Sequence, residues 1–207
     1  MSKSATRRGR PKDLDKRDAI LEAAKALFLE QGYAGTSMNR IAAQAGVSKL
    51  TLYSHYSHKD DLFQQCVVAK CQEHTPDAIY DPASRAPLRE RLLTIGHAFV
   101  ELVMSEEAIK FYRMMAAEAR QTGKLGQLFY AAGPQHTLDQ FVLLLAAAQR
   151  SGELRVRNRS RAAHHFFSLM QGDNHLRAMM GERYASRREL RAHVIDAVEV
   201  FLRAYAP

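Results

Sequence analysis

Apolar residues in this chain recur at intervals of three and four, and no run alternates cleanly between apolar and polar. That spacing is the period of a helix with one buried face, and the lack of alternation argues against half-buried strands. The first clear stripe is Ile20, Ala24, Leu27 and Phe28. It predicts a helix over about 15–31 with Gly32 as its stop. Shorter helices are predicted at 38–45, capped by Ser37 or Thr36 and ended by Gly46, and at 49–56, capped by Ser48. A fourth, at 59–73, carries Asp60 and Asp61 in its first turn, where the helix dipole favours acids. Further helices are predicted near 88–104, 106–121, 124–132, 135–151, 159–180 and 187–205. The last shows Leu190, Val194, Ala197, Phe201, Leu202 and Tyr205 on one stripe. The fold class is all-α.

Three of the six prolines, Pro76, Pro82 and Pro87, fall close together. They mark 75–87 as a connection and a domain junction. The expected organisation is a basic flexible arm at 1–14, a first domain at 15–74, the junction, and a larger second domain at 88–207. A chain of 207 residues fits one or two domains. Its longest apolar run, Phe141 to Ala148, falls well short of the roughly 20 residues that span a membrane. The basic, polar start has no apolar leader segment, so a cytoplasmic location is expected and a membrane partner is not.

Charge narrows the partners. The formal net charge is +8, and residues 1–60 hold 11 basic against 6 acidic groups. Positive charge loaded at one end suggests a polyanion such as DNA, RNA or an anionic membrane, although a basic solubilising surface has the same composition.

The segment 37–56 has the internal logic of a helix-turn-helix. Ala42 is small where two helices would cross, Gly46 suits a left-handed turn, and Ile41, Val47 and Leu52 form an apolar wedge. Lys49, Leu50, Thr51, Tyr53, Ser54 and His55 are left near the outer face of a short helix that fits a major groove ~12 Å wide. Lys49 suits guanine acceptors, and Leu50 or Thr51 a thymine methyl. Tyr53, His55 and Lys59 suit phosphates.

The run from Gly32 to Phe63, with Gly-Tyr-Ala-Gly-Thr-Ser-Met at 32–38, Ile-Ala-Ala-Gln-Ala-Gly-Val-Ser at 41–48 and Thr-Leu-Tyr-Ser-His-Tyr at 51–56, closely resembles the N-terminal domain of TetR-family transcriptional repressors. The resemblance covers about 17–67. It implies a homodimer, each subunit with an N-terminal three-helix DNA-binding domain and a larger C-terminal helical ligand-binding and dimerisation domain. By position it assigns base reading to Lys49, Leu50, Thr51, Tyr53, Ser54 and His55, with Ser48 at the helix start. It assigns phosphate contacts to Thr36, Ser37, Tyr53, Tyr56 and Lys59. Many members carry glycine or another small residue where this chain has Leu50, so an operator sequence does not carry over.

Arg-Gly-Arg-Pro at 8–11 resembles the core of an AT-hook. Arg8 and Arg10 would enter a narrow A·T minor groove. A basic tail raising non-specific affinity through counterion release fits the same residues.

The second domain has no His-Glu-x-x-His, Cys-x-x-Cys, Gly-x-Ser-x-Gly or phosphate-binding loop, so neither an enzyme nor a cofactor is expected. His164, His165, His175 and His193 form no i, i+4 pair, which argues against a metal site. Cys66 and Cys71 are five apart on one predicted helix, about 140° around it, which argues against a disulfide between them. Apolar and aromatic residues there, with a few polar ones, are core or the lining of a pocket. The candidate ligand set is Phe99, Tyr112, Met115, Phe129, His136, Gln140, Phe166, Met170 and Gln171. Residues 111–181 look more loosely like the AcrR-like branch, whose members often sense hydrophobic or aromatic compounds. For a dimer, helices 159–180 and 187–205 are the candidate surface, through Leu190, Val194, Phe201, Leu202 and Tyr205. The same stripe would equally serve packing within one subunit. The expected function is a repressor released from a palindromic operator by a small effector. The rivals are an activator, an architectural DNA-binding protein, or a helical cytosolic enzyme or carrier.

Overall fold

The computed structural model describes residues 10–118, 123–182 and 185–207, with side chains from Leu14 onward. Every regular element among them is helical. The chain forms two compact units, Met1–Cys66 and Val67–Pro207.

The first unit holds α1 (Arg10–Gly35), α2 (Met38–Gln44), α3 (Lys49–His55) and the start of α4 (Lys59–His74). Helix α1 begins at Arg10, inside the arm expected over 1–14, of which residues 1–9 lie outside the described residues. Pro11 sits in the first turn, where its missing N–H breaks no helical bond. The regular part of α1 ends at Gly32, whose backbone leaves the helical region (φ 74°). Ile20, Ala24, Leu27 and Phe28 are all buried, as their spacing requires. Leu62 and Phe63 of α4 are buried as well. Phe63 stands edge-on to both Phe28 (5.6 Å) and Tyr33 (5.3 Å).

The second unit comprises the rest of α4, a 3-10 turn at Asp77–Tyr80, α5 (Leu88–Val103), α6 (Glu106–Glu118), α7 (Lys124–Ala132), α8 (Pro134–Arg150), α9 (Arg159–Gln171), α10 (Asn174–Met180) and α11 (Arg187–Ala204). Two expectations change here. First, 75–87 is not a bare connection between domains. The compact units divide at Cys66/Val67, inside α4. The 3-10 turn packs on α5 and α8, burying Tyr80. Arg91 of α5 donates to the Asp81 carbonyl at 2.9 Å. Second, the single helix expected over 159–180 breaks at Gly172 (φ 50°). A Cβ there would meet the His193 ring at 3.1 Å, so glycine alone fits both the backbone and the space. The same ring donates to the Leu169 carbonyl at 2.8 Å, at the freed end of α9.

The core of this unit is an aromatic stack. Phe141 of α8 lies on Phe166 of α9 (4.4 Å), and Phe201 of α11 meets Phe166 edge-on (5.2 Å). Leu92 and Ile95 of α5, Leu144 and Leu145 of α8, and Val194 and Val198 of α11 close around them. A Cβ on Gly96 would stand 2.9 Å from both Met170 and Val194, so α5 meets α9 and α11 where it has no side chain.

Phe201→Ala should therefore destabilise the protein by about 3–5 kcal/mol in chemical denaturation. The exposed neighbour Val200→Ala should stay within about 0.5 kcal/mol of wild type. Equal effects would show that the stack is not the core.

Candidate nucleic-acid interface and effector region

Helix α3 is short, and its position depends on α2 and the turn between them. Ser37 caps α2 by accepting from the Arg40 N–H (3.4 Å), and Ser48 caps α3 by accepting from the Thr51 N–H (3.1 Å). Gly46 supplies the left-handed turn residue (φ 66°). The Val47 N–H returns to the Ala42 carbonyl at 3.0 Å. Ile41, Ala42 and Leu52 are buried beneath the turn and Val47 is half-buried.

What remains of α3 faces water. Lys49, Leu50 (82% exposed), Tyr53 (49% exposed) and Ser54 are exposed, while Thr51 and His55 are half-buried. Leu50, Tyr53 and Ser54 stand at i, i+3 and i+4 and share one face. Two hydroxyls are already engaged locally. Thr51 Oγ1 lies 2.9 Å from Ser48 Oγ, and Ser54 Oγ donates to the Thr51 carbonyl at 2.7 Å. Asn39 and Arg40, in the first turn of α2, are exposed too. A cation three residues after the capping Ser37 is the signal for Arg40 in the sequence.

Three side chains expected to hold phosphates are turned inward. Thr36 is buried, and its hydroxyl lies 2.8 Å from the Gly32 carbonyl and 3.1 Å from that of Leu27. Tyr56 is buried, and its oxygen accepts from Arg17 at 3.3 Å. Lys59 donates to the carbonyls of Tyr33 (2.7 Å) and Thr36 (2.8 Å) and lies 4.2 Å from the centre of the Tyr33 ring. The Tyr33 hydroxyl in turn donates to Asp60. Lys59 is thus a clamp between the end of α1 and the start of α4. Arg8 lies outside the described residues, and so does the side chain of Arg10, whose backbone opens α1.

The candidate ligand set divides. Phe166 and Met170 belong to the core, and Phe99 flanks it through Phe167 (4.7 Å). His136 is exposed and bonded to Asp77 at 2.8 Å. With Gln72 it holds the Asp77 carboxyl below its usual range. Gln140 and Gln171 are half-buried. Tyr112 and Phe129 form a separate aromatic group with Met115 buried close by in sequence. Tyr112 stands edge-on to Phe129 (5.3 Å) and to His175 of α10 (4.9 Å). Nε2 of His175 is buried and has no hydrogen-bond partner among the described residues. Burial lowers the affinity of His175 for a proton, and it pushes the Tyr112 hydroxyl up to about 12 and the Cys71 thiol up to about 11. All three groups are neutral at pH 7. His175 was weighed in the sequence only as a metal ligand.

The stripe expected at a dimer interface faces inward. Val194 and Phe201 are fully buried in their own subunit, and Leu190 and Tyr205 pack against the same core. The Tyr205 hydroxyl lies 2.6 Å from His165 Nδ1. Phe201 fills the aromatic stack, so it is unavailable to a partner. The outward apolar residues of α11 are Ile195 and Val200. Half-buried Leu202 packs against the core as well.

Residues 20–66 match the model of the bacterial regulatory proteins of the tetR family, and residues 90–207 match the C-terminal domain of AefR-like transcriptional repressors. The second match is described as AefR-like rather than AcrR-like, and it reaches beyond 111–181 on both sides. A TetR-family regulator from Mesorhizobium loti superposes with a TM-score of 0.78 at 27% identity, covering 98% of this chain and 100% of that one. The flavonoid-responsive regulator FrrA does so with a TM-score of 0.74 at 32% identity, over 93% of this chain and 97% of its own. The regulator YdeS of Bacillus subtilis is 29% identical over 59% of this chain and 68% of its own length. The transcriptional activator FasR of Mycolicibacterium smegmatis is 39% identical over 51% of this chain and 47% of its own.

Lys59→Met should loosen the first unit by about 1.5–3 kcal/mol, the range for bonds from a charged donor. Amide exchange in α2 and α3 of the full chain should speed about tenfold or more while α8 and α11 stay protected. Unchanged exchange in α2 and α3 would show that the clamp does not hold the unit.

Proposed function

Since the chain belongs to the TetR family of bacterial transcriptional regulators, DNA-binding proteins and not enzymes, we propose that it is a dimeric repressor. In this reading it grips a palindromic operator through α3 and releases it when a small neutral aromatic compound binds the second unit. The observation that carries the DNA assignment is a capped helix held from behind by Ile41, Ala42 and Leu52, with Lys49, Leu50, Tyr53 and Ser54 left outward. Two such helices in a two-fold dimer would meet half-sites about one DNA turn apart.

The likeness to FasR supports the alternative sign, activation, since the same DNA grip can recruit or block transcription according to where the operator lies. For the effector, the group around Tyr112, Phe129 and His175 is the best-supported place. It combines aromatic walls with a buried ring nitrogen that has no partner among the described residues, and with groups that are uncharged at neutral pH. An unmatched buried polar atom costs free energy that a ligand hydrogen bond would recover. The responsiveness of FrrA to flavonoids supports an aromatic effector here. Ligand would release DNA only by binding better to the subunit arrangement that fits the operator worse. For the dimer, the outward face of α11 at Ile195 replaces the buried stripe.

Selection of bound fragments from sheared genomic DNA at about 0.15 M salt should enrich one palindromic motif with wild type and none with Tyr53→Ala. Enrichment of the same motif by the variant, or of A·T-rich DNA alone by both, would contradict the assignment of α3. A panel of neutral aromatics that includes a flavonoid should contain a compound that raises the Tm of wild type and leaves His175→Phe unmoved. A panel with no such compound would remove the effector reading. Ile195→Glu should shift the sedimenting species from dimer to monomer, and an unchanged dimer would move the interface elsewhere.

A further inference from the structure

We propose that Leu50 is a specificity-determining residue that reads the C5-methyl group of thymine in the major groove. The proposal rests on the assignment of α3 to DNA.

Leu50 is the most exposed of the large apolar side chains among the described residues. The fold does not use it, because Ile41, Ala42 and Leu52 are the buried residues of α2 and α3. Leu50 itself offers no hydrogen bond to a base edge. Tyr53 lies one turn on, and the Ser54 hydroxyl beside it already donates to the Thr51 carbonyl at 2.7 Å. Lys49 places a cation just before it in the first turn of the helix. The outer face thus sets an apolar side chain between a cation and a phenol.

The chemistry of the base edges selects one occupant for that centre. In the major groove guanine offers two acceptors, cytosine a donor, and adenine an acceptor and a donor. Thymine alone adds an apolar group. A leucine pressed on a polar edge would strip water from it and return no hydrogen bond, which is unfavourable. Pressed on the methyl, it removes apolar surface of both partners from water. Loss of one methyl from such a contact should weaken binding about fourfold per half-site, the factor for one buried methylene-sized group.

The test uses the full-length protein and the operator recovered by fragment selection. Each thymine of a half-site is replaced in turn by deoxyuridine, which lacks only the methyl. Wild type should lose about fourfold in affinity at one position per half-site. Leu50→Ala should bind the thymine duplex more weakly and no longer distinguish it from the deoxyuridine duplex. Leu50→Met, which keeps an apolar tip, should preserve the distinction. Both variants should keep the Tm of wild type, since the side chain makes no core contact. If wild type binds every deoxyuridine duplex as tightly as the parent, or Leu50→Ala keeps the distinction, the proposal fails while the operator stands. Failure to recover any operator would instead overturn the assignment of α3 on which it rests.

Discussion

A helix of seven residues does not hold its shape alone in water, because nucleation costs more than so few bonds return. Helix α3 is such a helix. It exists because Leu52 is fully buried, with Ile41 and Ala42 of α2 buried beside the turn and serine caps taking up a leading N–H of each helix. Everything that the first unit presents outward depends on that inward anchorage. The Lys59 clamp extends the same logic, since it satisfies two carbonyls near the broken end of α1 and ties α4 to them. Residues near α3 thus divide into those that build its support and those that it displays.

The second unit shows the same division at larger scale. Phe141, Phe166 and Phe201 are committed to one stack in which α8, α9 and α11 meet, and Gly96 lets α5 approach them. The group of Tyr112, Phe129 and His175 lies among α6, α7 and α10, and keeps a buried ring nitrogen without a partner among the described residues. An effector at this group would meet uncharged polar atoms among rings, which suits a neutral aromatic molecule better than an ion. The two clusters use the same residue types, so composition does not separate them.

Much of this organisation was legible from residue order. The stripe Ile20, Ala24, Leu27 and Phe28 is buried as its spacing requires, and Gly46 adopts the left-handed turn expected of it. Spacing and capping are local properties, and they reveal where a helix starts, stops and hides a face. Residue order was less informative wherever one side chain had two uses. Thr36, Tyr56 and Lys59 have the polarity of phosphate ligands, yet each is bonded within the fold. The stripe on α11 marks a buried face, but periodicity does not say whether the burying surface belongs to the same subunit or to another.

The sequence by itself determined the all-helical class, the helix-turn-helix with its glycine turn, and the basic end of the chain. These follow from periodicity, caps and charge, which act between near neighbours. Only the tertiary structure decided that Phe166, Met170, Val194 and Phe201 are core, that Lys59 is a clamp, that 75–87 packs against α5 and α8, and that α9 ends at Gly172. Each of these depends on which distant residue fills the space opposite: Phe141 against Phe166, the Tyr33 carbonyl before Lys59, the His193 ring over Gly172. Such pairings are settled by packing between segments far apart in the chain, and no local pattern encodes them.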